Sequence, residues 1–105
     1  MSNDEVLSGL RAFVAVVDSG SFSGAALRLG ISRSAVSKAV SRLEERRRVR
    51  LLERSQRQLR LTEAGEALLG YARRALDALA AAEEAVGAGA GVAAGRVWLS
   101  APPLR

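Results

Sequence analysis

One short phrase is written twice in the first half of the chain: an apolar residue, a serine able to cap a helix, a helical run, then a break. The first copy is Phe22-Ser23, a run from Gly24 to Leu29, and Gly30. Ser23 is expected to cap, because a serine hydroxyl accepts an orphan amide of a helix's first turn. Phe22 would then staple onto Leu27. Gly30 tolerates the left-handed conformation that ends a helix. The second copy is Ile31, the cap Ser32, and a run from Arg33 to about Arg46 with Val36 at the staple position. Two capped helices separated by about three residues make a helix-turn-helix, placed over about 22–42.

The flanking segments complete a domain around it. Over residues 4–18, Leu7, Leu10, Phe13, Val14 and Val17 recur at spacings of three and four, one apolar helical face ended by Ser19-Gly20. In the run from Arg33, Val36, Ala39, Val40 and Leu43 face inward. Arg33, Ser34, Ser37, Lys38 and Ser41 share the outer face without a carboxylate among them, the acids Glu44 and Glu45 being held to the last turns. Short hydroxyls and long cations on one face suit close approach to a nucleic-acid groove. From Val49 the period falls to two: Val49 and Leu51 flank Arg50, Leu59 and Leu61 flank Arg60, with Arg54 and Arg57 near the polar tip between them. That is a two-stranded hairpin over about 49–61. The expected fold is mainly α: a winged helix-turn-helix of three helices and a two-stranded wing over residues 5–62, followed by a long linker helix.

Charge divides along the chain in the same way. Residues 28–60 hold eleven basic and three acidic residues, whereas residues 63–105 hold four basic and five acidic. A basic middle joined to a near-neutral, Ala-rich tail points to a polyanion-binding module.

Thr62 is placed to cap a fourth helix over 63–86, with Glu63 and Glu66 in the first turn where the helix dipole favours acids. Leu68, Ala72, Ala75, Leu79, Ala82 and Val86 step by alternate fours and threes along it. A helix of that span runs roughly 36 Å, more seam than a 60-residue domain covers, so a second copy is the expected partner. The alternative is that the seam folds back on the chain's own first helix. Residues 87–95 read as a flexible Gly/Ala hinge. Arg96–Ser100 reads as a lone strand, so 96–105 looks like the opening of a further domain.

Absences exclude other classes. With no Cys and no His, disulfide scaffolds, Cys/His zinc sites, His-ligated haem and His-based triads fall away. Lys38 has Ala35 three residues before it, so no Ser-x-x-Lys pair exists, and the Gly-rich run lacks the Lys of a phosphate loop. Neither an enzyme nor any cofactor or metal is expected. Tyr71 and Trp98 are too sparse for single-strand stacking and read as packing residues. The longest Gly-free apolar run of the first helix, Ala12–Val17, is far short of a bilayer span, and Asp4 and Glu5 replace a signal's basic region. A cytoplasmic chain with no membrane partner is the expectation.

The ordered series Phe13-Val14-Ala15-Val16-Val17, Gly20-Ser21-Phe22-Ser23, Ala25-Ala26-x-x-Leu29, Ser32-x-Ser34-Ala35-Val36-Ser37-Lys38, Leu43-Glu44, Leu51-Leu52-x-Arg54 and Leu61-Thr62-Glu63-Ala64-Gly65 resembles the N-terminal DNA-binding domain of LysR-type transcriptional regulators. The resemblance implies a bacterial regulator that binds double-stranded DNA as a homodimer. The recognition helix would read an inverted-repeat operator through the major groove, with the wing on the backbone or minor groove. It also implies a small-molecule effector acting only through a C-terminal domain beyond these residues. DNA-contacting positions are then Ser23, Ser32, Arg33, Ser34, Ser37, Lys38, Ser41, Arg42, Arg54 and Arg57. A basic helical dimerisation or adaptor module is the rival reading. Two departures stand out: Arg33-Ser34 replaces the family's frequent Gln-Pro, and Arg47-Arg48 replaces the Leu-Gly pair that usually ends the recognition helix. Periodicity also marks that second site as a weak point. Position 47 falls on the next core step, and position 48 lacks the glycine of a left-handed stop.

Overall fold

The computed structural model describes residues 3–55 and 58–92. Its elements are α1 (Asn3–Ser19), α2 (Phe22–Leu29), α3 (Arg33–Arg47), β1 (Leu52–Arg54), β2 (Leu59–Leu61) and α4 (Glu63–Val92). β1 and β2 pair antiparallel, with Leu52 opposite Leu61 and Arg54 opposite Leu59. The described residues fall into two units that divide between Arg74 and Ala75. The first is the expected winged helix-turn-helix, three helices and a two-stranded wing, joined by the opening turns of α4.

Its core includes Phe13, Val36, Val40, Leu43 and Leu51, which the periodicity marked, but also Ala12, Ala15, Val16 and Leu52, which it did not. Phe13, Val16, Val36, Val40 and Leu52 are fully buried, each side chain contributing roughly 1.5–3 kcal/mol by leaving water. Leu10, Val14, Val17, Ala39, Leu59 and Leu61 lie partly buried around them.

The cap of α2 is Ser21, not Ser23. Ser21 is extended and its Oγ accepts the Gly24 amide at 2.9 Å, which starts the helix two residues early. Phe22 is thereby carried inside the helix and buried, while Leu27 is 86% exposed, so no Phe22–Leu27 staple forms. Ser23 is an exposed first-turn residue. The second cap is as expected: Ser32 Oγ accepts the Ala35 amide at 3.0 Å. Between them Gly30 stands at φ 70° and closes α2.

The first strand begins at Leu52 rather than at Val49, because the backbone before it is already engaged. The buried carboxylate of Glu44 accepts the amides of Leu51 at 2.8 Å and Leu52 at 3.3 Å. On the acceptor side, the Thr62 amide donates to the Leu51 carbonyl at 3.0 Å and the Thr62 hydroxyl to the Arg50 carbonyl at 2.6 Å. Residues 50–52 are stitched from both sides, and Leu51 and Leu52 are both buried. Thr62 also caps α4 through the Gly65 amide, at 3.0 Å. A Cβ on Gly65 would collide with the Leu51 carbonyl oxygen, so α4 starts hard against this segment.

Two further expectations change along α4. Ala72 is buried in the chain's own core, and Leu68 packs partly buried against it. Those two seam positions are therefore covered within the first unit, and the fold-back alternative holds for them. The helix also continues to Val92, so 87–92 is helical rather than a hinge. Alanine, the strongest helix former, alternates with the glycines there and no proline intervenes. The remaining hinge residues 93–95, the expected strand 96–100 with Trp98, and the end of the chain lie outside the described residues. Among the described residues no single helix is long and apolar enough to cross a membrane.

Candidate nucleic-acid interface

The outward face of α3 is an open polar surface of the first unit. Ser32 holds the helix start, Val36, Val40 and Leu43 anchor the inner side, and Arg33, Ser34, Lys38 and Arg42 are left exposed. Ser37 and Ser41 are half-buried at the margins of that face. Arg33 and Lys38 have no carboxylate partner among the described residues. Arg42 is 3.7 Å from Glu5 of α1, an exposed contact of the kind that contributes little to stability.

One flank of α3 is a cleft of about 420 Å³ against α1. Its floor is Leu29, Ile31, Ala35 and Ala39, and Arg11, Lys38 and Arg42 rim it. At the C-terminal end of α3, Ser41, Glu45, Arg48 and Arg50 line a second depression of about 330 Å³. Arg48 ends the helix at φ 56°, the only non-glycine residue with positive φ among those described. The left-handed stop without glycine is therefore present. Arg47, however, is exposed rather than on a core step. The helix buries Glu44 in the last turn instead, continuing the step of four from Val36 and Val40.

The wing leans on the helix-turn-helix through the last residue before its turn. The Arg54 guanidinium lies 4.4 Å from the centre of the Phe22 ring, so a cation is held where β1 passes α2. At the wing's tip the Ser55 amide donates to the Gln58 carbonyl at 2.9 Å. The Gln58 amide in turn donates to Ser55 Oγ at 3.0 Å. Arg57 lies outside the described residues.

Of the sequence-predicted positions, Ser32, Arg33, Ser34, Ser37, Lys38, Ser41 and Arg42 come together on α3 and its start, and Arg54 stands beside Phe22. Ser23 is on α2 without the capping role expected of it. Arg11 and Arg50 were not among the expected DNA-contacting positions, and Arg48 was singled out only as a helix stop without glycine. Arg11 sits four residues before Ala15 on a helix legible only through its core face. Glu44 was also missed, although its four-residue step from Val40 was visible. Tyr71, read as a packing residue, is exposed, with the Arg74 guanidinium 4.7 Å from its ring centre. No group of three or more His, Cys, Asp or Glu side chains among the described residues is arranged to hold a metal ion.

In the second unit Ala75, Ala82 and Val86 are exposed and Leu79 is half-buried. They are the seam positions that the chain's own core leaves uncovered.

The family model for bacterial regulatory helix-turn-helix proteins of the lysR family matches residues 7–66. The probable HTH-type transcriptional regulator LtrA of Klebsiella pneumoniae is 44% identical over 95% of this chain, which spans 32% of LtrA. The HTH-type transcriptional regulator CrgA of Neisseria meningitidis is 54% identical over 70% of this chain, which spans 25% of CrgA. Among solved structures, the BenM DBD in complex with catB site 1 DNA has a TM-score of 0.75 at 34% identity. That match covers 80% of this chain and 93% of the BenM chain. Match, identity and fold agree: the chain belongs to the lysR family of bacterial regulatory helix-turn-helix proteins.

Proposed function

We propose that this chain is the sequence-specific DNA-binding part of a bacterial transcriptional regulator. α3 enters the major groove of an inverted-repeat operator, and the wing rests on the backbone or minor groove. The observation that carries the reading is the outward face of α3: two cations with no carboxylate partner among the described residues, and short hydroxyls, on a helix anchored on its other side. The similarity to a relative solved with DNA bound supports it.

The domain assignment follows. Residues 5–62 are the DNA-binding domain, and α4 carries a homodimer through Ala75, Leu79, Ala82 and Val86. A two-fold axis through such a dimer sets the inverted repeat. Residues beyond the helix lead to a C-terminal domain, through which alone a small-molecule effector acts. The chain is cytoplasmic and carries out no catalysis. Selection of bound duplexes from a random pool at fixed salt tests this reading. Enrichment of an inverted repeat is the expected result, and recovery of no preferred sequence overturns it.

A further inference from the structure

α3 breaks, at its first residue, a rule that the other long helices keep. α1 places Asp4 and Glu5 in its first turn, and α4 places Glu63 and Glu66 there, where the positive end of the helix dipole favours acids. α3 has no acid in its first turn and opens with Arg33. A cation at that end is electrostatically disfavoured, and among the described residues no carboxylate compensates it. The only acids of α3 are Glu44 and Glu45, at the other end.

The surroundings keep this guanidinium available. Arg33 is exposed, and its neighbours Ser32 and Ser34 are short. The Ser32 hydroxyl is engaged with the Ala35 amide. Cations suited to flanking phosphates stand elsewhere. Arg11, Lys38 and Arg42 rim the cleft along the side of α3. Arg33 stands instead at the first residue of α3.

In a helix-turn-helix docked in the major groove, the N-terminal residues of the recognition helix meet base edges. The planar fork of arginine matches the O6 and N7 acceptors of guanine, a pattern that no other base presents there. We infer that Arg33 reads one guanine in each half-site, with its two guanidinium donors directed at O6 and N7. This rests on the DNA-binding reading above and names the base that reading leaves open.

The test compares this chain with Arg33→Gln in selection from a random duplex pool. Anisotropy titrations then follow on the winning duplex and on a version with the guanine replaced symmetrically by adenine. The parent is expected to select a guanine at one fixed position of both half-sites. Arg33→Gln is expected to lose that preference by on the order of 10-fold or more per half-site, with the salt slope unchanged. Glutamine matches adenine, so the adenine duplex becomes the better ligand of the variant. If Arg33→Gln instead weakens both duplexes equally and flattens the salt slope by about one unit per protomer, Arg33 is a phosphate contact and the inference falls. An unchanged preference in the variant also overturns it. A parent that selects nothing overturns the DNA-binding reading itself, a result separate from either of these. A thermal melt of the variant keeps misfolding out of the comparison.

Discussion

Asp18, at the end of α1, and Arg73, on α4, form a two-pronged ion pair across 55 residues of sequence, with nitrogen–oxygen distances of 2.6 and 3.1 Å. Arg28 of α2 approaches the same carboxylate at 3.8 Å. One acid therefore ties three helices of the first unit.

The hydrogen bond from Arg73, and the charges of Arg73 and Arg28, hold the Asp18 carboxyl below its ordinary value against partial desolvation. A depressed carboxylate contributes stability that is fully present above the ordinary value of 3.8. The contribution is lost as pH falls through the depressed one. Both partners are substantially exposed, so screening limits the contribution. Asp18→Asn should lower stability by about 0.5–1 kcal/mol at neutral pH. Urea melts against pH check it: the gap between parent and variant should stay constant from pH 7 to 5 and close below pH 3.8.

Glu44 should matter more. The residue is 6% exposed and its carboxylate accepts two buried amides, so Glu44→Ala strands the Leu51 and Leu52 donors. A loss of about 2–4 kcal/mol is expected, and a smaller one for Glu44→Gln, which keeps an acceptor oxygen. Hydrogen exchange should accelerate first at those two amides. Slow exchange there in Glu44→Ala would contradict the assignment.

Arg48→Gly removes a side chain from a left-handed position and should raise stability by about 1 kcal/mol. Arg47→Leu should add nothing, because position 47 faces solvent and a leucine there buries little. Urea midpoints of the two single variants separate these outcomes.

DNA binding should be steep in salt. Four to six cations per protomer give about 8–12 phosphates for a dimer, and a slope of log K against log salt on the order of −7 to −11. Arg54→Ala should weaken all sequences alike, since its guanidinium rests on the Phe22 ring beside the wing and not on α3. A slope shallower than about −3 would exclude the two-protomer footprint.

Leu79→Glu places a charge among the uncovered seam positions Ala75, Ala82 and Val86. Sedimentation should show monomers, with loss of high-affinity binding to a full inverted repeat but not of weak binding to a half-site. An unchanged dimer would move the interface elsewhere.

How far each feature was legible follows from where its determinants lie. The core of α3 was readable because Val36, Val40 and Leu43 repeat at helical spacing, and the Ser32 cap because one serine precedes one run. Ser21 and Ser23 satisfy the same local rule on either side of Phe22. Only the burial of Phe22 in the tertiary core chooses between them. The small-residue stripe of α4 was visible, but periodicity cannot say what covers a stripe, and Ala72 went to the chain's own core. Glu44 was hidden by its type. A carboxylate reads as solvated until the Leu51 and Leu52 amides are brought to it from seven and eight residues away. On the candidate interface, the α3 positions were found together because they share one helix. Arg11 was not, because only packing brings α1 alongside Lys38.

The bare α-carbon of Gly65 acts as a keyway. Turning the start of α4 by one residue in either direction would bring the Cβ of Ala64 or Glu66 onto the Leu51 carbonyl, so the helix has a single rotational setting at its first turn. That setting also points Leu68 and Ala72 at the core and Arg73 at Asp18. The angular phase of this stretch is thus governed by a missing methyl, and an alanine at position 65 would be felt as a misdirected helix before it was felt as a local clash.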